Sequence, residues 1–413
     1  MSKIHRFITL VSHRSFKELL LRICDILFGY PLYLLSFLFP RKRNRWVFGT
    51  NVGFADNSKY LFLAVQEYRD IDSCWIAQTQ ELALQLRAKG FRSYYKYSFS
   101  GLKYCLTAST YIFTYHSHDI NFFTSGRAKK VNLWHGVGIK KGSDDINKAM
   151  PHWLSKFLLP HLYEHTDLFL STSPLMSGHF RKTHHLDNRC MVYEYMYPRC
   201  AFLMKTKTEI MKHIQKYENT ETKSLIDKTS NHDKVIIYMP TWRINLKETF
   251  LEESELDFQL LDNIMKKQNS LFLLKLHPAV KVFDQHSRYE NISIIDSKQD
   301  IYPILPFTDI LITDYSSIYY DYLLQDGKQA ILFPFDIQEY RKHSDELAFD
   351  YDTYTPAKRA YNAEQLYNLL SQESMQSPTT EERNQVLNQF WGDYQNKKEI
   401  SPLIETISKL SRQ

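Results

Sequence analysis

Twice along this chain, short apolar runs alternate with helical patterns, and a polar stretch separates the two series. That repeated alternation limits the fold more than any other feature. Strands are expected first at Trp46–Thr50, Ser73–Ala77, Thr110–Tyr115, Lys130–Trp134, Asp167–Ser171 and Met191–Tyr193, with helices at Ser58–Tyr68 and Thr79–Lys89. The second series expects strands at Val235–Met239, Leu271–Leu276, Ile292–Ile295, Ile310–Thr313 and Ala330–Phe333. Its helices fit Leu256–Lys267, Ser316–Gln325, Ala363–Ser371 and Thr380–Tyr394. Strands that alternate with helices pair in parallel, because the crossover helix both returns the chain and covers a sheet face. Residues 204–233 are rich in Lys, Glu, Thr and Asn without a sustained apolar period, and read as a helix plus linker.

The expected fold class is therefore α/β: two doubly wound, Rossmann-like domains facing across a cleft. Ligands of this class bind at the carboxyl ends of the strands. The expected division is 1–45 as a membrane-associating segment, 46–205 as the first domain, 206–233 as linker and 234–413 as the second domain with terminal helices. A chain of 413 residues is long enough for two or three domains.

The amino-terminal segment stands apart. Phe16 to Pro40 is rich in Leu, Ile, Phe and Tyr, but Lys17, Arg22 and Asp25 interrupt it and Pro31 breaks a helix. A transmembrane helix needs about 20 nearly uninterrupted apolar residues. The clean stretch from Ile26 to Pro40 is shorter. The reading favoured over a true span or an ordinary buried helix is an interfacial helix, with Arg41, Lys42, Arg43 and Arg45 touching lipid headgroups.

Bulk properties narrow the function. Hydrophobic residues make up 43% and charged residues 24%, as in a globular protein. A net charge of +6 suits an anionic substrate or membrane surface, and is too weak to argue for nucleic acid. Cys24, Cys74, Cys105, Cys190 and Cys200 are scattered, with no CxxC spacing. They read as thiols in a reducing compartment, with no zinc site or disulfide frame. No secretory cleavage site is expected, and no metal pattern, P-loop, GxSxG or HExxH occurs.

Four motifs could carry chemistry. In Asn132–Lys141 an apolar strand ends in His135, followed by Gly136, Gly138, Lys140 and Lys141. A histidine past a strand end lies on the ligand face, is a natural general base near neutral pH, and is followed here by glycines that admit a substrate closely. A turn with a satisfied histidine is the competing reading. In Tyr238–Arg243 a strand delivers Thr241, Trp242 and Arg243, whose guanidinium suits phosphate; a surface arginine at a turn is the alternative. In Leu273–Pro278 the period-two rule puts Lys275 and His277 on one strand face, fit for a diphosphate, although a buried structural histidine fits the fragment equally. The fourth is the most informative. A buried strand, Ile310–Thr313, runs into Asp314, Ser316 and Ser317 at a helix start, with Asp321 one turn on. Amides at a helix start hold phosphate, and the carboxylates could hold polyol or ribose hydroxyls; plain capping is the bland reading.

With these motifs, the chain resembles the CDP-glycerol glycerophosphotransferase family of teichoic acid primases and polymerases, also found in capsule synthesis. The resemblance runs in order over about residues 46–350: Asn57-Ser58-Lys59-Tyr60, Trp134-His135-Gly136, Tyr197-Pro198-Arg199, Pro240-Thr241-Trp242-Arg243, Lys275-Leu276-His277-Pro278 and Thr313-Asp314-Tyr315-Ser316-Ser317 with Asp321-Tyr322. It implies a GT-B fold, with acceptor side first and donor side second. It implies that His135 and His277 are catalytic, His135 as the base. Arg243, Lys275, Thr313, Asp314, Ser316, Ser317 and Asp321 would bind the CDP donor, and Gly136, Gly138 and Lys140 would lie on the acceptor side. The expected reaction moves glycerol phosphate, or next ribitol phosphate, from CDP-glycerol or CDP-ribitol to a hydroxyl of a lipid-linked polymer, releasing CMP. No cofactor, metal or nucleic acid is expected, and the place of action would be the cytoplasmic face of the membrane, peripherally. The sequence departs from the family pattern at Gly138-Ile139, Cys200-Ala201 and Ile244, which bears on the acceptor and the polyol. A GT-B hexosyltransferase using a sugar nucleotide is the alternative, and a non-catalytic membrane scaffold a third reading.

Overall fold

The computed structural model describes residues 25–140, 156, 160–241, 250–276, 289–343, 347–372 and 376–413. The chain divides into two compact units: Met1–His135 with Ser143–Arg199 and Lys397–Gln413, and Gly136–Gly142 with Cys200–Asn396.

The first unit is built on β1 (Lys42–Phe48), β2 (Asp72–Ala77), β3 (Ser93–Tyr95), β4 (Ala108–Phe113), β5 (Lys129–Asn132), β6 (Leu168–Ser171) and β7 (Met191–Glu194). They form one seven-stranded sheet in the order β3-β2-β1-β4-β5-β6-β7. All its pairings are parallel; Val47, for example, lies between Cys74 and Tyr111. Such strands are buried on both faces, which explains the continuous apolar runs. Val47, Cys74, Ile76, Cys105 and Tyr111 are fully enclosed in the core.

The second unit repeats the plan with β8 (Lys234–Tyr238), β9 (Ser270–Leu274), β10 (Ile292–Ile294), β11 (Ile310–Thr313), β12 (Gln329–Leu332) and β13 (Lys358–Arg359). Its six strands run in the order β10-β9-β8-β11-β12-β13, again in parallel. Ile236, Phe272, Ile312 and Ile331 from the sheet pack with Leu261, Met265 and Leu366 from the covering helices. In each unit strand order reverses direction once, between β1 and β4 and between β8 and β11. Those reversals are the switch points where doubly wound sheets open a crevice for ligands.

Several elements differ from expectation. The edge strands β3 and β13 span three and two residues, too short to print an apolar run. The polar stretch holds two helices, Lys207–Tyr217, closed by a capping box between Thr206 and Glu209, and Thr220–Thr229, capped by Asn219. The first buries little beyond Ile210 and Ile214, which explains its polar sequence. The last helix, Ser401–Arg412, was expected with the second domain but belongs to the first unit. Leu403, Ile404 and Ile407 are buried, and the Ser411 hydroxyl meets that of Thr110 on β4 at 2.6 Å.

At the amino-terminal end, a short helix, Tyr30–Ser36, packs one side inward: Tyr33 stacks on Phe122 at 4.5 Å, and the Ser36 hydroxyl accepts the Gly126 amide at 3.0 Å. Phe28, Leu34 and Leu38 face outward, 71%, 69% and 77% exposed. No helix among the described residues is long and apolar enough to cross a membrane; residues 1–24 lie outside the described set. The expected basic cluster is divided. Arg41 turns inward and donates to the carbonyls of Cys105, Ala108, Ser36, Thr124 and Gly126. Arg45 binds Asp72 and Thr107 and covers the Tyr104 ring. Only Lys42 and Arg43 of the four are exposed: Arg41 satisfies carbonyls of buried residues, and Arg45 is taken up by the half-buried Asp72 and Thr107.

Candidate functional site

At the switch point of the second unit, two strand ends are tied together. β8 continues into Met239, Pro240 and Thr241; β11 continues into Asp314. The Thr313 hydroxyl donates to the Met239 carbonyl at 2.7 Å. The Asp314 carboxylate accepts the Thr241 amide at 2.9 and 3.2 Å and the Tyr315 amide at 2.6 Å. Tyr351 closes the turn by donating its hydroxyl to the Asp314 carbonyl at 3.1 Å. Thr313 and Asp314 are thus buried braces of the crevice wall. Amide bonds to a carboxylate are stronger than neutral ones, so this junction is stiff.

Ser316 and Ser317 follow on the half-buried outer part of the turn. The helix after them is short, Ile318–Tyr322, rather than the expected ten residues, and Ser317 stands at its start in helical conformation without a side-chain cap bond. Five residues sum to little dipole. What this turn can offer a phosphate is therefore two hydroxyls and local amides. Asp321 is fully enclosed and accepts the Tyr302 hydroxyl. Its side chain is closed off from solvent in this structure.

Gly136, Gly138 and Lys140, expected on the acceptor side, belong to the second unit. A Cβ built on Gly138 would lie 3.5 Å from that of Ser317. The Ile139 carbonyl accepts the Ala348 amide at 2.6 Å, Lys140 pairs with Leu347 in an antiparallel bridge, and the Lys140 ammonium stands 6.0 Å from the Tyr340 ring centre. The glycine segment therefore overlies the serine turn, and its missing side chains leave room in front of Ser317. Lys275, just past β9, donates to the carbonyls of Asp296 and Ser297 at 3.0 and 2.9 Å. Burial pushes its ammonium down to about 8. Arg243 and His277 lie outside the described residues.

In the first unit, His135 is half-buried at the exit of β5. The preceding Trp134 has φ +52°, a left-handed conformation rare for a bulky residue and often kept at functional turns. Two side chains bond its backbone there. Asn132 accepts the Trp134 amide at 2.8 Å, and Asn57 donates to the Trp134 carbonyl at 2.8 Å. Asn57 in turn accepts the Arg199 amide at 3.3 Å, and Arg199 pairs with Asp56 at 2.5 Å, both nearly enclosed. Tyr115, from the end of β4, stacks on the His135 imidazole at 4.2 Å. Asn57 and Arg199 occurred in the sequence motifs without an assigned part; Asp56 and Tyr115 gave no signal at all, since the contacts form across strands distant in sequence.

Comparison with known proteins agrees with this architecture. A family model described as CDP-Glycerol:Poly(glycerophosphate) glycerophosphotransferase matches residues 32–409. The chain is 29% identical over 254 residues to a teichoic acid poly(ribitol-phosphate) polymerase of Bacillus spizizenii, covering 60% of this chain and 38% of that protein. Against a teichoic acid poly(glycerol phosphate) polymerase of the same organism it is 25% identical over 367 residues, covering 83% and 85%. It thus spans well under half the length of some curated relatives and most of others. Among solved structures, the wall teichoic acid polymerase TagF superposes with a TM-score of 0.73 at 21% identity, over 95% of this chain and 97% of that one, which bears on the fold alone. On the family match, which takes in both units, the chain belongs to the CDP-glycerol:poly(glycerophosphate) glycerophosphotransferase family.

Proposed function

We propose that this chain transfers a polyol phosphate, glycerol phosphate first and ribitol phosphate next, from a CDP-linked donor to a hydroxyl of a lipid-linked surface polymer. In this reading the acceptor hydroxyl attacks the phosphorus that bears the polyol. The bond from that phosphorus to the CMP oxygen breaks, and CMP leaves with the electron pair. His135 takes the proton from the attacking hydroxyl. The Ser316-Ser317 turn, with Arg243 and His277, steadies the charge on the diphosphate; donors fixed in advance are effective because they need no reorganisation. Lys275, Thr313 and Asp314 hold this donor site in shape from behind.

The observation that carries the reading is the braced switch point of the second sheet. Thr313 and Asp314 lock the two strand ends, and the serine pair lies beneath a glycine segment that begins immediately after His135. The GT-B fold belongs to the same proposal, supported by two parallel sheets whose first six strands follow the same order. So does peripheral attachment at the cytoplasmic face of a membrane, supported by the outward Phe28, Leu34 and Leu38 beside exposed Lys42 and Arg43.

The test is nucleotide release by purified protein given CDP-glycerol, CDP-ribitol or a UDP-sugar, each with a membrane-lipid acceptor extract. CMP from a CDP-polyol supports the proposal. No CMP from either donor, with UDP released from the sugar nucleotide, replaces it with hexosyl transfer.

A further inference from the structure

The first unit contains a cavity of about 180 Å³ that the reading above leaves unused. It opens beside the ends of β4 and β5, among His116, His161 and His184, with Tyr115, Phe169 and Glu164 in its wall. Its volume suits one sugar or polyol unit and is small for a nucleotide.

Charge in the wall is already matched. Glu164 accepts the Ser117 and Ser125 hydroxyls and pairs with Lys130 at 3.1 Å. Asp187 pairs with Arg189 at 2.7 Å and meets His165 at 3.2 Å. A phosphate would therefore find its cation already engaged. Among the described residues no three His, Cys, Asp or Glu converge to hold a metal ion. Burial pushes His116 down to about 4; burial, then the neighbouring imidazoles, push His184 down to about 3. A neutral imidazole offers one donor and one acceptor, as a hydroxyl does, so the two pair in either sense. Phe169 and Tyr115 add flat apolar faces of the kind that receive the C–H face of a ring or chain.

The cavity also adjoins His135. Tyr115 lines it and lies flat on the His135 ring at 4.2 Å. Trp134 stands 4.0 Å from His135 and 4.0 Å from His184. One layer of rings separates the cavity from the candidate base.

We infer that this cavity binds an uncharged, hydroxyl-rich unit of the acceptor, a sugar or polyol residue, through His116, His161 and His184, and so presents the neighbouring hydroxyl of that acceptor to His135. The inference rests on the phosphotransfer reading for its purpose, but binding can be measured without turnover.

The experiment has two arms. In the first, the full chain carrying ¹⁵N-labelled histidine is titrated with glycerol, ribitol, N-acetylglucosamine and inorganic phosphate, and the imidazole signals are followed by NMR. At least one neutral probe is expected to shift the His116, His161 and His184 signals saturably, and His161→Ala is expected to abolish the shift at the other two. Shifts by phosphate alone, or by no probe, overturn the inference. In the second arm, His161→Ala is expected to raise the acceptor KM about tenfold, the loss of one or two hydrogen bonds. Donor KM should stay near the wild-type level. An unchanged acceptor KM overturns the cavity and leaves phosphotransfer standing. Absence of CMP release by the wild type overturns phosphotransfer instead, and the titration then decides the cavity by itself.

Discussion

Asn57 holds the carbonyl of Trp134 through its side-chain amide at 2.8 Å, and so fixes the peptide immediately before His135. The same side chain receives the Arg199 amide, so one asparagine links a helix start, a later helix and the exit of β5. Three distant segments meet there because two of them, at Trp134 and Arg199, leave a polar backbone group that must be satisfied away from water, and the third supplies the side chain that does so.

Replacing Asn57 by Ala should leave that carbonyl without its donor and loosen the left-handed Trp134. We expect kcat for polyol-phosphate transfer to fall by about ten- to a hundredfold, with donor KM changed less than threefold, since misplacement of a catalytic group acts on the chemical step. Equal losses in kcat and donor affinity would assign Asn57 to general folding instead.

Asp314→Ala tests the brace. It leaves the Thr241 and Tyr315 amides without their acceptor in a buried position. Such an orphaned amide costs about 1–3 kcal/mol. Urea unfolding should show a lower midpoint, and donor affinity should fall with it. A variant of unchanged stability but abolished donor binding would make Asp314 a direct ligand contact.

The serine pair should behave in the opposite way. The Ser317 hydroxyl makes no cap bond to the helix that follows, and that of Ser316 accepts the Ile318 amide only at 3.5 Å. Changing both Ser316 and Ser317 to Ala should leave the unfolding midpoint nearly unchanged and raise donor KM about tenfold or more, as for one or two hydrogen bonds to a charged group. Unaltered donor KM would remove the turn from the donor site.

Stability should depend on His116 below neutrality. Its folded pKa is depressed by burial from 6.5 to about 4. Between those values the unfolded chain binds a proton that the folded chain does not, so stability rises with pH and is lost as pH falls from 6.5 through 4. Asp119, raised by burial from 3.8 to about 7, acts in the other direction over the whole of this range. It cancels when His116→Asn is compared with wild type. The difference in unfolding free energy between the two should shift in the variant's favour on acidification from pH 6.5 to 4.5; a pH-independent difference would refute the assignment.

Much of this molecule was legible because parallel strands buried on both faces write continuous apolar runs, as Ile310–Thr313 does, and that strand falls at the expected bounds. The short edge strands were not, since Ser93–Tyr95 and Lys358–Arg359 are held by pairing and not by their own apolarity. The two serines read as the start of a ten-residue helix, yet only Ile318–Tyr322 is helical, with Tyr319, Tyr320 and Tyr322 buried in it. The destination of Gly136–Gly142 and of the last helix could not be read locally: sequence position placed each with its neighbours, while contacts placed each with the other unit. The inward turn of Arg41 was hidden for the same reason, as its five carbonyl partners come from other segments and from the preceding helix.

The most direct test of the central claim is transfer of label from CDP-[¹⁴C]glycerol to a membrane-lipid acceptor, measured with CMP release for wild type and His135→Ala. The account predicts equimolar CMP and acceptor-bound label for wild type, and loss of both in the variant by at least about a hundredfold with donor binding retained. Equal transfer by the two proteins, or release of CDP in place of CMP, would contradict it.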